Sequence, residues 1–214
     1  ASPEHPLFTR EMKGTHTILI PTMLPVHFAF MEQIFKLYGY NCKVLSNSGS
    51  QVIEEGLKYV HNDTCYPALI VIGQLIDAVK SGEYDTDKIA LMITQTGGAC
   101  RATNYVGMLK KALKDAGHGD IPLISLNVVG LEKQSGFKLS AGLAVRAFMG
   151  IVYGDVLSRC LYKVRPYEVE KGSANALYEK WRKFLREEMK SLSMSRFNRN
   201  VRNIVKDFSE FPVL

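Results

Sequence analysis

The run Ile89-Ala90-Leu91-Met92-Ile93 constrains the fold more than any other feature. Five apolar residues without polar alternation read as a strand covered on both faces, the pattern of a parallel sheet rather than of an antiparallel one with a wet face. Lys88 to Thr94 is therefore predicted as a buried strand. A glycine-containing loop, Gln95–Ala99, follows it, and then a helix from about Cys100 to Ala116. Other segments repeat the arrangement. Thr17-Ile18-Leu19-Ile20-Pro21 reads as a short strand stopped by proline, and a helix from about Val26 to Tyr38 ends at Gly39. Asn41–Leu45 reads as the next strand; the polar turn Ser46–Ser50 offers a serine cap to a helix reaching about Tyr59. Pro67 suits the first turn of a further helix running to Lys80, with Gly82 beyond its end. Ile121–Leu126 is the fourth strand, and Asn127–Gly136 a longer loop. The alternation predicts an α/β fold: a Rossmann-like parallel sheet of about four strands with helices on both faces and right-handed crossovers.

From Ser140 onward the pattern becomes helical. Trp181, Phe184, Leu185, Met189 and Leu192 recur at three- and four-residue steps, as do Phe197, Val201, Ile204, Val205 and Phe208. The expected organisation is a lead-in over 1–16, a Rossmann-like lobe over 17–139, and a helical extension over 140–214 that packs on the lobe or on a partner. Charge follows the same division. The chain of 214 residues carries a net +6, yet nine Lys or Arg between Lys180 and Lys206 face only Glu187 and Glu188. The basic character belongs to the extension, where it reads as a solvated helix face; no other feature suggests nucleic acid. No uninterrupted apolar run reaches the ~18 residues of a bilayer span, and Ala1–His5 lacks a secretory pattern. A cytoplasmic protein, with no membrane partner, is the expectation.

Ligands of open parallel sheets collect at the carboxyl ends of the strands. Of the loops there, Gln95-Thr96-Gly97-Gly98-Ala99-Cys100-Arg101-Ala102-Thr103-Asn104 is the most distinctive. Gly97 and Gly98 allow a tight turn and close approach of a ligand. The helix start beyond them favours anions, and Arg101 adds a fixed cation. The same segment reads equally as a structural strand-to-helix turn. It lacks the Gly-Lys-Ser/Thr of a P-loop and is not GxGxxG.

Four cysteines are present: Cys42, Cys65, Cys100 and Cys160. None forms a CxxC pair, which argues against a zinc finger, and a reducing cytosol argues against disulfides. Cys65 and Cys100 each stand at a predicted helix start, a position that stabilises negative charge, and thiolate is the ligand form for iron–sulfur clusters. Cys42, in a strand, and Cys160, among apolar helix residues, read as core. The five histidines form no HExxH pair, and His61 is a loop residue or an outer neighbour of Cys65. No Gly-x-Ser-x-Gly elbow is present.

Four blocks together carry a resemblance. They are Thr15–Pro21 with His27-Phe28; Asn62-Asp63-Thr64-Cys65-Tyr66-Pro67-Ala68; Thr94–Tyr105; and Arg165-Pro166-Tyr167-Glu168 with Gly172–Leu177. Over nearly its whole length the chain resembles the C-terminal segment of the CoA-substrate-specific activase-related proteins of the 2-hydroxyacyl-CoA dehydratase system. Those long proteins join sugar-kinase-like ATPase domains to dehydratase-like lobes. The resemblance implies an accessory redox domain in an anaerobic system, where ATP hydrolysis drives an electron through [4Fe–4S] clusters to an acyl-CoA dehydratase or reductase. It makes Cys65 and Cys100 cluster-ligand candidates, with Gly97, Gly98 and Arg101 shaping the cofactor pocket. The partners implied are the ATPase domains, a second lobe and the acyl-CoA dehydratase. No ATP site is present in this chain, which is not an ATPase by itself. Two other functions stay open: a structural or docking lobe without a cluster, and an acyl-CoA or phosphate-binding domain using the glycine loop.

Overall fold

The computed structural model describes residues 5–96, 98–126, 136–191 and 193–214. Four strands, β1 (Thr17–Ile20), β2 (Cys42–Val44), β3 (Ile89–Thr94) and β4 (Leu123–Leu126), form one all-parallel sheet in the order β2-β1-β3-β4. The helices are a single turn α1 (Met12–Thr15), then α2 (Pro25–Leu37), α3 (Ser50–Tyr59), α4 (Tyr66–Lys80), α5 (Tyr105–Asp115), α6 (Ala141–Val164), α7 (Ser173–Glu188) and α8 (Met194–Ser209). The α/β class and the parallel sheet follow the sequence expectation. The chain divides into two compact units: one takes the chain up to Met23 together with Gly39–Lys138, the other Leu24–Tyr38 together with Leu139–Leu214. Helix α2 thus clusters with the C-terminal helices, although it lies between β1 and β2 in sequence.

In the sheet unit, Ile89 to Ile93 are all buried, as an unbroken apolar run demands. Leu19, Leu91, Ile93 and Leu123 share one apolar cluster with Ile72, Leu75 and Ile76 of α4 and Val106, Leu109 and Leu113 of α5. Helices α3 and α4 touch backbone to backbone. A Cβ on Gly73 would stand 2.1 Å from the Val52 carbonyl oxygen, and one on Gly56 2.4 Å from that of Leu69. Only hydrogen fits at this crossing. Beside it Glu55 is buried and accepts from Lys58 Nζ at 2.6 Å and Lys80 Nζ at 2.7 Å. Burial pushes this carboxyl up, but the two ammonium groups outweigh it and hold it below its ordinary range.

Local starts differ from expectation in two places. The α3 cap is Gly49 and not a serine, because the chain enters the helix at φ +105°, which a side chain disfavours. Helix α4 begins at Tyr66, one residue early, so Cys65 is itself the cap residue.

The helical unit centres on Tyr153 of α6, fully buried between Phe30, edge-on at 6.4 Å, and Phe197 at 4.9 Å. Asn200 Nδ2 donates to its hydroxyl at 3.2 Å and to Glu188 at 3.3 Å. Burial pushes the phenol up to about 12. Gly154 lets α2 approach α6: a Cβ there would stand 2.4 Å from the His27 ring, whose Nε2 pairs with Asp155 at 3.0 Å. The Arg165–Glu168 block forms a cap. Glu168 accepts from the Gly172 and Ala174 N–H groups at 2.7 and 2.9 Å, and Gly172 turns the chain at φ +95°. Those two bonds hold its carboxyl below the usual carboxylate range. Among the described residues one helical stretch, Ala141–Tyr167, is long and apolar enough to cross a membrane by length and composition; its α6 part packs on α2, α7 and α8.

Candidate thiol site at the sheet rim

From β1 the chain moves to β2 on one side and later to β3 on the other, so the topological switch point lies between β1 and β3. The loops leaving these two strands line it, and Thr94 Oγ1 donates to Met23 Sδ across it at 3.8 Å.

The segment after β3 is stapled by its own side chains. Thr103 Oγ1 donates to the carbonyls of Thr96 at 2.6 Å and Gly98 at 2.9 Å. Gln95 Nε2 donates to the Thr103 carbonyl at 2.7 Å, and its Oε1 accepts from Ser125 at 2.9 Å. Gly98 has ordinary φ and open space beside it, so neither turn geometry nor packing requires glycine there. Gly97, the Arg101 side chain and residues 127–135 lie outside the described residues. The expected helix from Cys100 is in fact a 3₁₀ turn over Arg101–Asn104 before α5, capped by Cys100, whose Sγ accepts from the Ala102 N–H at 3.5 Å.

Cys65 meets Tyr105, the first residue of α5. The Tyr105 hydroxyl lies 3.3 Å from Cys65 Sγ. Burial, reinforced by the hydrogen bond to Cys65, raises this phenol far above its ordinary value. Cys65 is half-buried and Cys100 exposed. The start of α4 therefore brings one sulfur to this aromatic hydroxyl, while Cys100 caps the 3₁₀ turn that leads into α5. Cys42 is buried in β2. Cys160 belongs to the helical unit, where burial pushes its thiol up, towards the unreactive form. His61 is exposed, and its ring accepts from the Asp63 N–H at 3.2 Å.

Sequence reasoning singled out the segment that holds Gln95, Thr103 and Tyr105 but gave these three no role of their own. It also missed the polar tie beneath the β1 and β2 exits. Buried Gln74 of α4 accepts from the Thr22 N–H at 2.7 Å and donates to the Asn47 carbonyl at 2.8 Å. Asn47 Nδ2 returns a bond to the Gln74 carbonyl at 2.9 Å and reaches Asp77 at 2.7 Å. A polar glutamine inside the apolar run Ala68–Ile76 of α4 was the available signal.

The site can present thiolate to a soft metal or cluster, but it supplies two sulfurs where a [4Fe–4S] cluster takes four thiolates. Among the described residues no group of three His, Cys, Asp or Glu side chains is arranged to hold a metal ion. These residues do not complete a cluster site. No protein-family model, curated protein or solved structure matches this chain.

Proposed function

We propose that this chain is an accessory lobe of an activase-like redox assembly, presenting Cys65 and Cys100 to an iron–sulfur centre whose remaining ligands come from outside the described residues. In that assembly ATP is hydrolysed elsewhere, and the acceptor is an acyl-CoA dehydratase or reductase. The observation that supports the reading is the Cys65 thiol 3.3 Å from the Tyr105 hydroxyl, on the helix that follows the Cys100 turn and the switch-point strand β3. The resemblance of the Cys65 and Cys100 blocks supplies the chemistry. A docking lobe without a cluster is the rival, and the lack of any three-ligand group among the described residues favours it.

Anaerobic treatment of the chain with iron and sulfide separates the two. The redox reading expects broad visible charge-transfer absorption that disappears in the Cys65→Ser/Cys100→Ser double variant. Absorption that survives in that variant, or no uptake of iron at all, leaves the docking lobe.

A further inference from the structure

The solvent face of α8 carries a row of cations with no carboxylate of the helix in it. Arg199, Arg202 and Lys206 follow at three- and four-residue steps and are all exposed, so they stand in one row. The row spans ~10 Å at helical rise. No acid of α8 shares it. Asp207, the one carboxylate of the helix, accepts from Trp181 Nε1 at 3.1 Å, and Lys206 finds Glu210 at 3.9 Å only beyond the helix end.

Several cations elsewhere are matched by a carboxylate three or four residues away: Lys36 with Glu32, Lys58 with Glu55, Lys111 with Asp115, Arg182 with Glu179, Lys190 with Glu187. Like charges three and four residues apart repel along a helix. A carboxylate row on a partner would reverse that repulsion.

We propose that this face docks an acidic segment of a protein partner, with carboxylates at matching helical spacing. The opposite face of α8 is already used, since Ile204 and Phe208 are buried and Phe197 lies on Tyr153, so it has no apolar side to insert into lipid. The exposed face carries no aromatic ring on which bases would stack. It does carry exposed Met194 and Val205. Those two side chains gain from contact with a polypeptide and nothing from a phosphate backbone. The thiols play no part in this contact, so it stands or falls independently of them.

The test uses the full chain and a fluorescein-labelled helical peptide of alternating glutamate and leucine pairs. A single-stranded oligonucleotide and anionic phospholipid vesicles serve as competing probes. Arg199→Glu/Arg202→Glu/Lys206→Glu should weaken peptide binding at least about tenfold, and rising salt should weaken the unaltered chain. A control, Lys110→Glu/Lys111→Glu/Lys114→Glu on α5, makes the same change of net charge and should leave binding within about twofold. Circular dichroism checks that both variants fold. Equal losses in the two variants, no peptide binding by the unaltered chain, or tighter binding of oligonucleotide or vesicle would each overturn the proposal.

Discussion

Each unit of the molecule has a buried tyrosine hydroxyl with a named partner, and the two partners differ in kind. Tyr153 sits among rings, and its hydroxyl accepts from Asn200, whose amide also reaches Glu188. Tyr105 lies at the rim, and its hydroxyl meets a half-buried thiol. Burial pushes both phenols up. The amide is a full hydrogen-bonding group, whereas a thiol is a weak donor and a weak acceptor. The helical unit has therefore closed its polar centre, which specifies one packing. The sheet unit leaves the hydroxyl of Tyr105 with a weaker partner that is easier to exchange.

The same contrast holds for close helix contacts, where the largest effect is expected. Gly73→Ala forces a methyl against the Val52 carbonyl, and backbone cannot rotate away. Gly154→Ala forces one against the His27 ring, which can turn at the cost of its Asp155 bond. Alanine gains about 1 kcal/mol of helix propensity at both positions. Net losses of about 3 kcal/mol for Gly73→Ala and about 1 kcal/mol for Gly154→Ala are expected from overpacking. Urea unfolding followed by far-ultraviolet circular dichroism measures both. Equal losses would mean that the His27 ring is held as rigidly as a main chain.

The parts legible in the sequence are those with local causes. Strand β3 announces itself by five apolar residues, and α8 by apolar residues at helical steps. Cys65 was legible as a helix-start thiol, whereas Cys100 caps a 3₁₀ turn where a helix start was expected. Tyr105 was not legible, because a tyrosine at a helix start reads as core until a thiol is found beside its hydroxyl. Gly56 and Gly73 each look like a defect in a helix, and only their crossing gives them a purpose. The membership of α2 was hidden for the same reason. Its position in the chain assigns it to the sheet unit, while its packing on α6 groups it with the C-terminal helices.

Tyr153→Phe is expected to cost about 1–2 kcal/mol, because Asn200 is buried and loses one of its two acceptors. Trp181, the single tryptophan, lies on α7 of the same unit and reports the loss by fluorescence during urea unfolding. The alkaline limb gives a second reading. Tyr153 has an ordinary value of 10.0 and is pushed up to about 12 in the fold. Its contribution is complete below the ordinary value. Between the two values the unfolded chain releases the phenolic proton while the folded chain keeps it, so stability falls as pH rises through that window. Tyr153→Phe should flatten part of this decline. Tyr178 is raised by burial too and leaves a remaining slope. An unchanged alkaline limb would show that Tyr153 ionises as easily folded as unfolded.

The smallest effect is expected at the rim. Tyr105→Phe keeps the ring packed and removes only the hydroxyl that meets Cys65. A thiol partner makes that bond weak, and half-buried Cys65 has water within reach to replace it, so the loss should be about 0.5 kcal/mol. Circular dichroism in urea, run beside Gly73→Ala, measures it against the largest change in the same unit. A loss equal to that of Tyr153→Phe would break the contrast between the units, because the rim would then be as closed as the core. A small loss means more than tolerance. If the sulfur leaves the phenol to bind a metal, the fold gives up only what this substitution removes, and the site can be filled without disturbing the helices that hold it.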